Sequence, residues 1–166
     1  MTHQPERRSF LRGQFRHKTV MRPPGAVPAD AFPEACSACG DCLAACPESI
    51  LLKDEDGFPK VDLSLGACTF CGDCASACET GALLPTTVWD WRAKPTAECL
   101  SLQGVTCRTC EDHCDAQSIR FRLATGGRSE PRMDPDTCTG CGACLTACPT
   151  NAITFFQHQP SEETPC

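Results

Sequence analysis

The chain has 166 residues, 41% hydrophobic but only 6% aromatic and without tyrosine, which leaves little material for an ordinary apolar core. Cysteine fills 17 positions, an excess that offers two other stabilisers, disulfides or metal. The net charge of -6 is uneven: the first 22 residues set Arg7, Arg8, Arg12, Arg16, Lys18 and Arg22 against Glu6 alone, and the rest holds nine basic and twenty acidic side chains, a poor match for nucleic acid.

In chain order, residues 1–29 read as a basic arm. Arg7-Arg8-Ser9-Phe10-Leu11-Arg12 is similar to a twin-arginine export motif. The next residues, Gly13-Gln14-Phe15-Arg16-His17-Lys18, are polar and basic where a signal peptide needs about 7 apolar residues, and Pro23-Pro24 ends any helix. No apolar run is long enough for a secretory core or an integral membrane segment, so a cytoplasmic location is expected. Two readings of the arm stay open: an amphipathic docking segment with Phe10, Leu11 and Phe15 on one side, and a disordered basic arm.

After the arm, one unit occurs four times. Three copies read Cys-x-x-Cys-x-x-Cys-x-x-x-Cys, at Cys36/Cys39/Cys42/Cys46, Cys68/Cys71/Cys74/Cys78 and Cys138/Cys141/Cys144/Cys148. The copy between the last two, Cys99/Cys107/Cys110/Cys114, stretches its first gap to the seven residues Leu100 to Thr106. An apolar residue (Ile50, Leu83, Ile119, Ile153) follows each run, where a strand can begin. Ile50-Leu51-Leu52 and Phe58 to Val61 flank Asp54-Glu55-Asp56-Gly57, predicting strand, turn and strand. Ile119 to Leu123 runs into Gly126-Gly127 and predicts a second hairpin. Residues 83–98, with Pro85, Pro95, Trp89 and Trp91, read as a packed connector. The copies therefore pair into modules at 30–82 and 99–156, followed by a flexible tail at 157–166 in which Cys166 lies outside every repeat.

Cysteines three apart are poor disulfide partners, and their number is odd, so a secreted disulfide scaffold does not suit them. Zinc sites usually pair two Cys-x-x-Cys knuckles across a longer gap. The two-residue gaps instead let one loop curl around a 4Fe-4S cubane with backbone N–H groups directed at sulfur, so four clusters are expected. Gly40, Gly72 and Gly142 follow the second cysteine of three runs, where an unusual φ or a close approach is anticipated. Pro47 and Pro149 follow the last cysteine of two runs, with Glu79 and Asp115 in the others. His113 reads as a surface or supporting residue, since sixteen cysteines already complete four sites. No nucleophile–base pair, carboxylate pair or phosphate loop stands out, so electron handling rather than an enzymatic reaction is expected.

The runs resemble bacterial two-cluster ferredoxins, in which the fourth cysteine of each run ligates the other cluster. That resemblance implies an α+β fold of two tandem metal-stabilised modules with crossed ligands. Cluster 1 would take Cys36, Cys39, Cys42 and Cys78; cluster 2, Cys68, Cys71, Cys74 and Cys46; cluster 3, Cys99, Cys107, Cys110 and Cys148; cluster 4, Cys138, Cys141, Cys144 and Cys114.

A wider resemblance covers almost the whole chain. The arm Arg7-Arg8-x-x-Leu11-x-Gly13-x-Phe15-Arg16, then Arg22-Pro23-Pro24, the four runs with the stretched third, and Ala152-Ile153 are similar to the NapF family, ferredoxin-type accessory proteins of the periplasmic nitrate reductase system. The resemblance implies a cytoplasmic protein that acts on the precursor of the catalytic subunit of periplasmic nitrate reductase, assembling or reducing that subunit's own iron–sulfur cluster. An electron relay, or an electron-transfer subunit of a larger oxidoreductase, remains the alternative.

Overall fold

A computed structural model describes residues 20–86 and 89–158. The arm side chains singled out above, Arg7 through Lys18, and Cys166 lie outside the described residues.

The first module begins earlier than its cysteines. Val61 N–H donates to Met21 C=O at 2.7 Å, and Pro23 is fully buried. The Arg22 guanidinium meets Asp54 at 2.7 Å and the Pro59 carbonyl at 2.8 Å, and it lies 4.8 Å from the Phe32 ring centroid. Residues 20–29, expected as the end of a basic arm, are thus built into the module, because the Arg22 charge is paired inside it rather than displayed. Two short helices follow, α1 (Phe32–Ala35) and α2 (Asp41–Ala45). Next come β1 (Leu51–Lys53) and β2 (Pro59–Val61), antiparallel with Leu51 opposite Val61, and then α3 (Asp73–Ser76).

Asp54 closes the β1–β2 turn by accepting the N–H groups of Asp56 at 3.0 Å and Phe58 at 2.9 Å, the self-bonding turn that short acidic side chains favour. Burial alone raises the Asp54 pKa, but the Arg22 hydrogen bond, these N–H groups and the Arg22 charge together hold it below the ordinary carboxylate value. Its stabilisation is therefore present above the unfolded pKa of about 3.9 and is lost as pH falls through the lower folded value. Replacing Asp54 with Asn is expected to cost about 2 kcal/mol at neutral pH. Denaturant midpoints of wild type and variant, compared between pH 7 and pH 3, should converge toward the acid end.

The second module starts with β3 (Trp91–Pro95), inside the stretch expected as a connector. Then come α4 (Thr109–Asp112), the hairpin of β4 (Ile119–Leu123) and β5 (Ser129–Met133), α5 (Ala143–Thr146) and β6 (Ile153–Gln157), which runs one residue into the expected tail. β3 pairs antiparallel with β6, Trp91 opposite Gln157 and Pro95 opposite Ile153. The connector reading missed a strand whose buried residues, Trp91 and Ala93, do alternate with more exposed ones, but over only five residues and ending on a proline. The first module closes in the same way with less chain. An Ala26–Leu83 bridge is flanked by Val27 N–H to Ala82 C=O at 3.0 Å and Leu84 N–H to Gly25 C=O at 2.7 Å.

Two apolar clusters lie beneath these elements. One gathers Phe32, Ile50, Leu51, Val61, Leu63, Leu83, Trp89 and Trp91; among the described residues, the fully buried members of the other are Ala93, Ile119, Cys144 and Ile153. Leu145 and Phe155 pack on both. Both tryptophans are buried in the packed role expected of them, with Trp89 Nε1 donating to the Arg22 carbonyl at 3.0 Å. Among the described residues, no helix is long and apolar enough to cross a membrane.

Candidate metal centres

The sixteen run cysteines are all unbridged and line four cavities in sets of four. Cys36, Cys39, Cys42 and Cys78 surround the first; Cys68, Cys71, Cys74 and Cys46 the second. Cys99, Cys107, Cys110 and Cys148 surround the third; Cys138, Cys141, Cys144 and Cys114 the fourth. In each set, three cysteines come from one run and the fourth from the end of its partner run. The cavities measure about 570, 520, 360 and 360 Å³ in that order, including space open to solvent. Among the described residues, no group of three or more His, Cys, Asp or Glu closes tightly enough for a single metal ion. Four thiols converging on one space, three of them from a single closely spaced run, match the ligand set of an iron–sulfur cubane.

The backbone repeats along with the cysteines. Gly40, Gly72 and Gly142 precede α2, α3 and α5 with φ of 95°, 82° and 93°, the left-handed region anticipated for them. In the third run Arg108 takes that place with φ of -137°, so the chain enters α4 by another route. Cys99 nonetheless reaches its set. The stretch after it turns back through Gln103 N–H to Cys99 C=O at 3.1 Å and Val105 N–H to Leu100 C=O at 2.9 Å, and the buried Ser101 hydroxyl donates to the Ser129 carbonyl.

Sequence reasoning missed two further left-handed positions. Ala38 and Phe70, between the first two cysteines of their runs, have φ of 55° and 54°. Three residues beyond the last cysteine, Ser49, Gln117 and Asn151 have φ of 54°, 52° and 51°. Such conformations in non-glycine residues cost about 1–3 kcal/mol each, so their recurrence at matching steps marks a functional backbone. Successive turns of this kind aim N–H groups inward. Ala152 N–H donates to Cys148 Sγ at 3.2 Å.

Four thiols in one small space do not ionise freely. Burial first, and then the charges of Cys36 and Cys39, push Cys42 up to about 11. Cys110 reaches about 11 through burial and then Cys99 and Cys107, and Cys144 about 12 through burial and then Cys141 and Cys138. Burial also takes Cys68 to about 11 against the opposing Phe70 N–H. Binding of a cationic centre must therefore displace protons at neutral pH. Cys78 departs from this pattern. Burial raises it, yet the Thr80 hydroxyl and the N–H groups of Leu83, Ala82 and Thr80 outweigh that and hold it below the ordinary thiol value.

Hydroxyl groups attend four of the sulfurs. Thr80 lies 3.6 Å from Cys78, Thr109 3.7 Å from Cys107, Thr150 3.8 Å from Cys148, and Ser118 3.2 Å from Cys114. A donor to a sulfur favours the more negative, reduced state of a cluster. Thr80→Val should lower the reduction potential of the first set's centre by about 20–60 mV, read by potentiometric titration. His113 is exposed at the rim of the fourth cavity, with Nδ1 3.0 Å from the Thr109 carbonyl.

Comparisons with known proteins agree with this construction. A family described as 4Fe-4S dicluster domain matches residues 35–82 and 105–152, one match per module, the second leaving the displaced Cys99 outside. The ferredoxin-type protein NapF of Haemophilus influenzae is 43% identical over 94% of this chain and 96% of its own. The ferredoxin-type protein NapF of Escherichia coli K12 is 36% identical over 89% of this chain and 92% of its own. The methylamine utilization ferredoxin-type protein MauM of Methylorubrum extorquens is 34% identical over 78% of this chain and 68% of its own. With two dicluster domains and near full-length similarity to these relatives, the chain belongs to the NapF family of ferredoxin-type proteins.

Proposed function

We propose that each of the four cysteine sets holds one 4Fe-4S cluster, in two tandem α+β modules spanning about residues 20–84 and 89–158. The protein then assists maturation of the catalytic subunit of periplasmic nitrate reductase while that subunit is still a cytoplasmic precursor. The observation that carries this reading is the coincidence of four four-cysteine cavities with near full-length similarity to NapF proteins. Each cluster would supply a one-electron couple or a transferable iron–sulfur unit. The thiols hold the centre, the hydroxyl and N–H groups set its potential, and among the described residues no constellation serves an organic substrate. The protein acts as an accessory electron or cluster carrier, not as an enzyme.

Labelled iron tests the assembly role. Protein loaded with labelled clusters and incubated with reductase lacking its cluster should pass label to it. Full retention of label, together with reduction of an intact reductase cluster, would favour the relay. The relay is the second reading, because the similar protein MauM carries methylamine utilization in its name, a system other than nitrate reduction.

The partner is met by the arm. Removing residues 1–19, and no further, spares Arg22, whose pairing with Asp54 belongs to the fold. This deletion should weaken binding to the reductase precursor at least about tenfold, roughly 1.4 kcal/mol, with iron content unchanged. Calorimetry on the two forms reads the difference, and equal affinities would remove the arm from the interface.

A further inference from the structure

The two modules do not hang side by side on a connector; they touch through their cysteine loops. Cys68 N–H donates to the Cys141 carbonyl at 2.7 Å, so a backbone hydrogen bond joins a residue of the second set to a residue of the fourth. The surrounding contacts hold that bond in place. Leu63, buried in the first module, lies against Gly142, where a Cβ would come within 2.8 Å of the leucine side chain. The Phe70 ring, between Cys68 and Cys71, meets Trp89 edge-on at 6.2 Å. A Cβ on Gly140, between Cys138 and Cys141, would collide with the Trp91 carbonyl. These demands are particular to the fourth run. A Cβ on Gly72, at the matching step of the second run, would meet nothing within 4 Å.

Within each module the sets are also neighbours. α2, which carries Cys42 of the first set, packs against α3, which carries Cys74 of the second, and α4, with Cys110 of the third, packs against α5, with Cys144 of the fourth. The outer cavities take no part in the junction. Of the junction residues, Cys68 and Phe70 line the second cavity and Gly140, Cys141 and Gly142 the fourth, and none of these five lines the first or the third.

We infer that the four sets form a single array in the order first, second, fourth, third, closed at its centre by the Cys68–Cys141 hydrogen bond, rather than two independent pairs. The inference rests on each set holding a cluster. It assigns a role to chain atoms beyond the ligating sulfurs: from Sγ of Cys68 a path runs through Cβ, Cα and N–H and across the hydrogen bond to C=O, Cα, Cβ and Sγ of Cys141. It also assigns Leu63, Gly142, Phe70 and Trp89 the role of positioning residues for that contact.

Two paired variants of the full chain test this order by pulsed electron paramagnetic resonance after dithionite reduction. Cys39→Ala with Cys107→Ala removes the outer centres and should leave two paramagnets with clear mutual dipolar coupling. Cys71→Ala with Cys141→Ala removes the inner centres and should leave two with coupling at least several-fold weaker. Equal coupling in the two, or stronger coupling in the second, would overturn the array. Hydrogen exchange of the Cys68 amide in the wild-type, fully loaded protein keeps the inference testable if either variant fails to load. Protection comparable to that of the paired amides of β4 and β5 supports the junction, and exchange at the rate of an open loop overturns it. Iron analysis of the same wild-type sample separates the premises. About sixteen irons per chain with an unprotected Cys68 amide sinks the array alone, whereas a lower iron content sinks the four-cluster reading.

Discussion

Cys78→Ala is expected to strip the centre bounded by Cys36, Cys39 and Cys42 while leaving the centre of its own run in place. Cys78 belongs in sequence to the second run, but it lines the first cavity with those three residues, whereas Cys46 completes the second. Loss of one thiolate in four leaves a cubane with an open corner, and about four irons of sixteen should be lost on anaerobic desalting. The Cys46→Ala variant should show the reciprocal loss. Because Cys78 also receives the Thr80 hydroxyl and the N–H groups of Leu83, Ala82 and Thr80, its removal leaves those donors without their acceptor. The measurement is iron content combined with the spectrum of the remaining clusters. Loss confined to the set of Cys68, Cys71 and Cys74 would restore ligation within single runs.

Removing the metal altogether should unfold the second module before the first. Among the described residues, its own buried apolar cluster is Ala93, Ile119, Cys144 and Ile153, and its Trp89 and Trp91 pack into the first cluster, where the first module buries Phe32, Ile50, Leu51, Val61, Leu63 and Leu83. Small domains without a sufficient core depend on metal or cross-links, and binding energy at such a site is folding energy. Chelation under anaerobic conditions should abolish the fixed fold around Ile119 and Ile153, visible as complete hydrogen exchange of the β4–β5 and β3–β6 ladders within minutes. Acid should act in the same direction. Thiols pushed up to about 11 or 12 by burial and by one another hold their protons strongly, so each step down in pH favours the protonated, metal-free form. An apo-protein with both ladders still protected would show that the peptide alone specifies the fold.

Most of the cysteine arrangement was legible because it is local. A run of cysteines three apart must place its first three thiols on one side of a turn, and the resemblance to two-cluster ferredoxins assigned the fourth to the partner run. The sets that line the four cavities are those sets. Both hairpins were legible for the same reason: Asp54 to Gly57 and Gly126-Gly127 are turn sequences between apolar runs.

What escaped was nonlocal or backbone-borne. β3 pairs with β6 across the whole second module, and five residues ending on Pro95 give no periodicity that announces such a partner. Arg22 reads as one more charge of a basic arm until the Asp54 carboxylate and the Phe32 ring are seen around it. The left-handed turns at Ala38, Phe70, Ser49, Gln117 and Asn151 carry no glycine, so residue type did not mark them; only their matching places within the runs could have. The contact of Leu63 with Gly142 depends on how two modules meet, which spacing within either module does not encode.

Four cubane clusters held by crossed cysteine sets are tested most directly by anaerobic Mössbauer spectroscopy of the iron-loaded chain, combined with iron and acid-labile sulfide analysis. The expected result is about sixteen irons and about sixteen sulfides per chain, with all iron in 4Fe-4S signals that fully reduce to four paramagnetic centres. Half that iron, or stoichiometric zinc in its place, would contradict it.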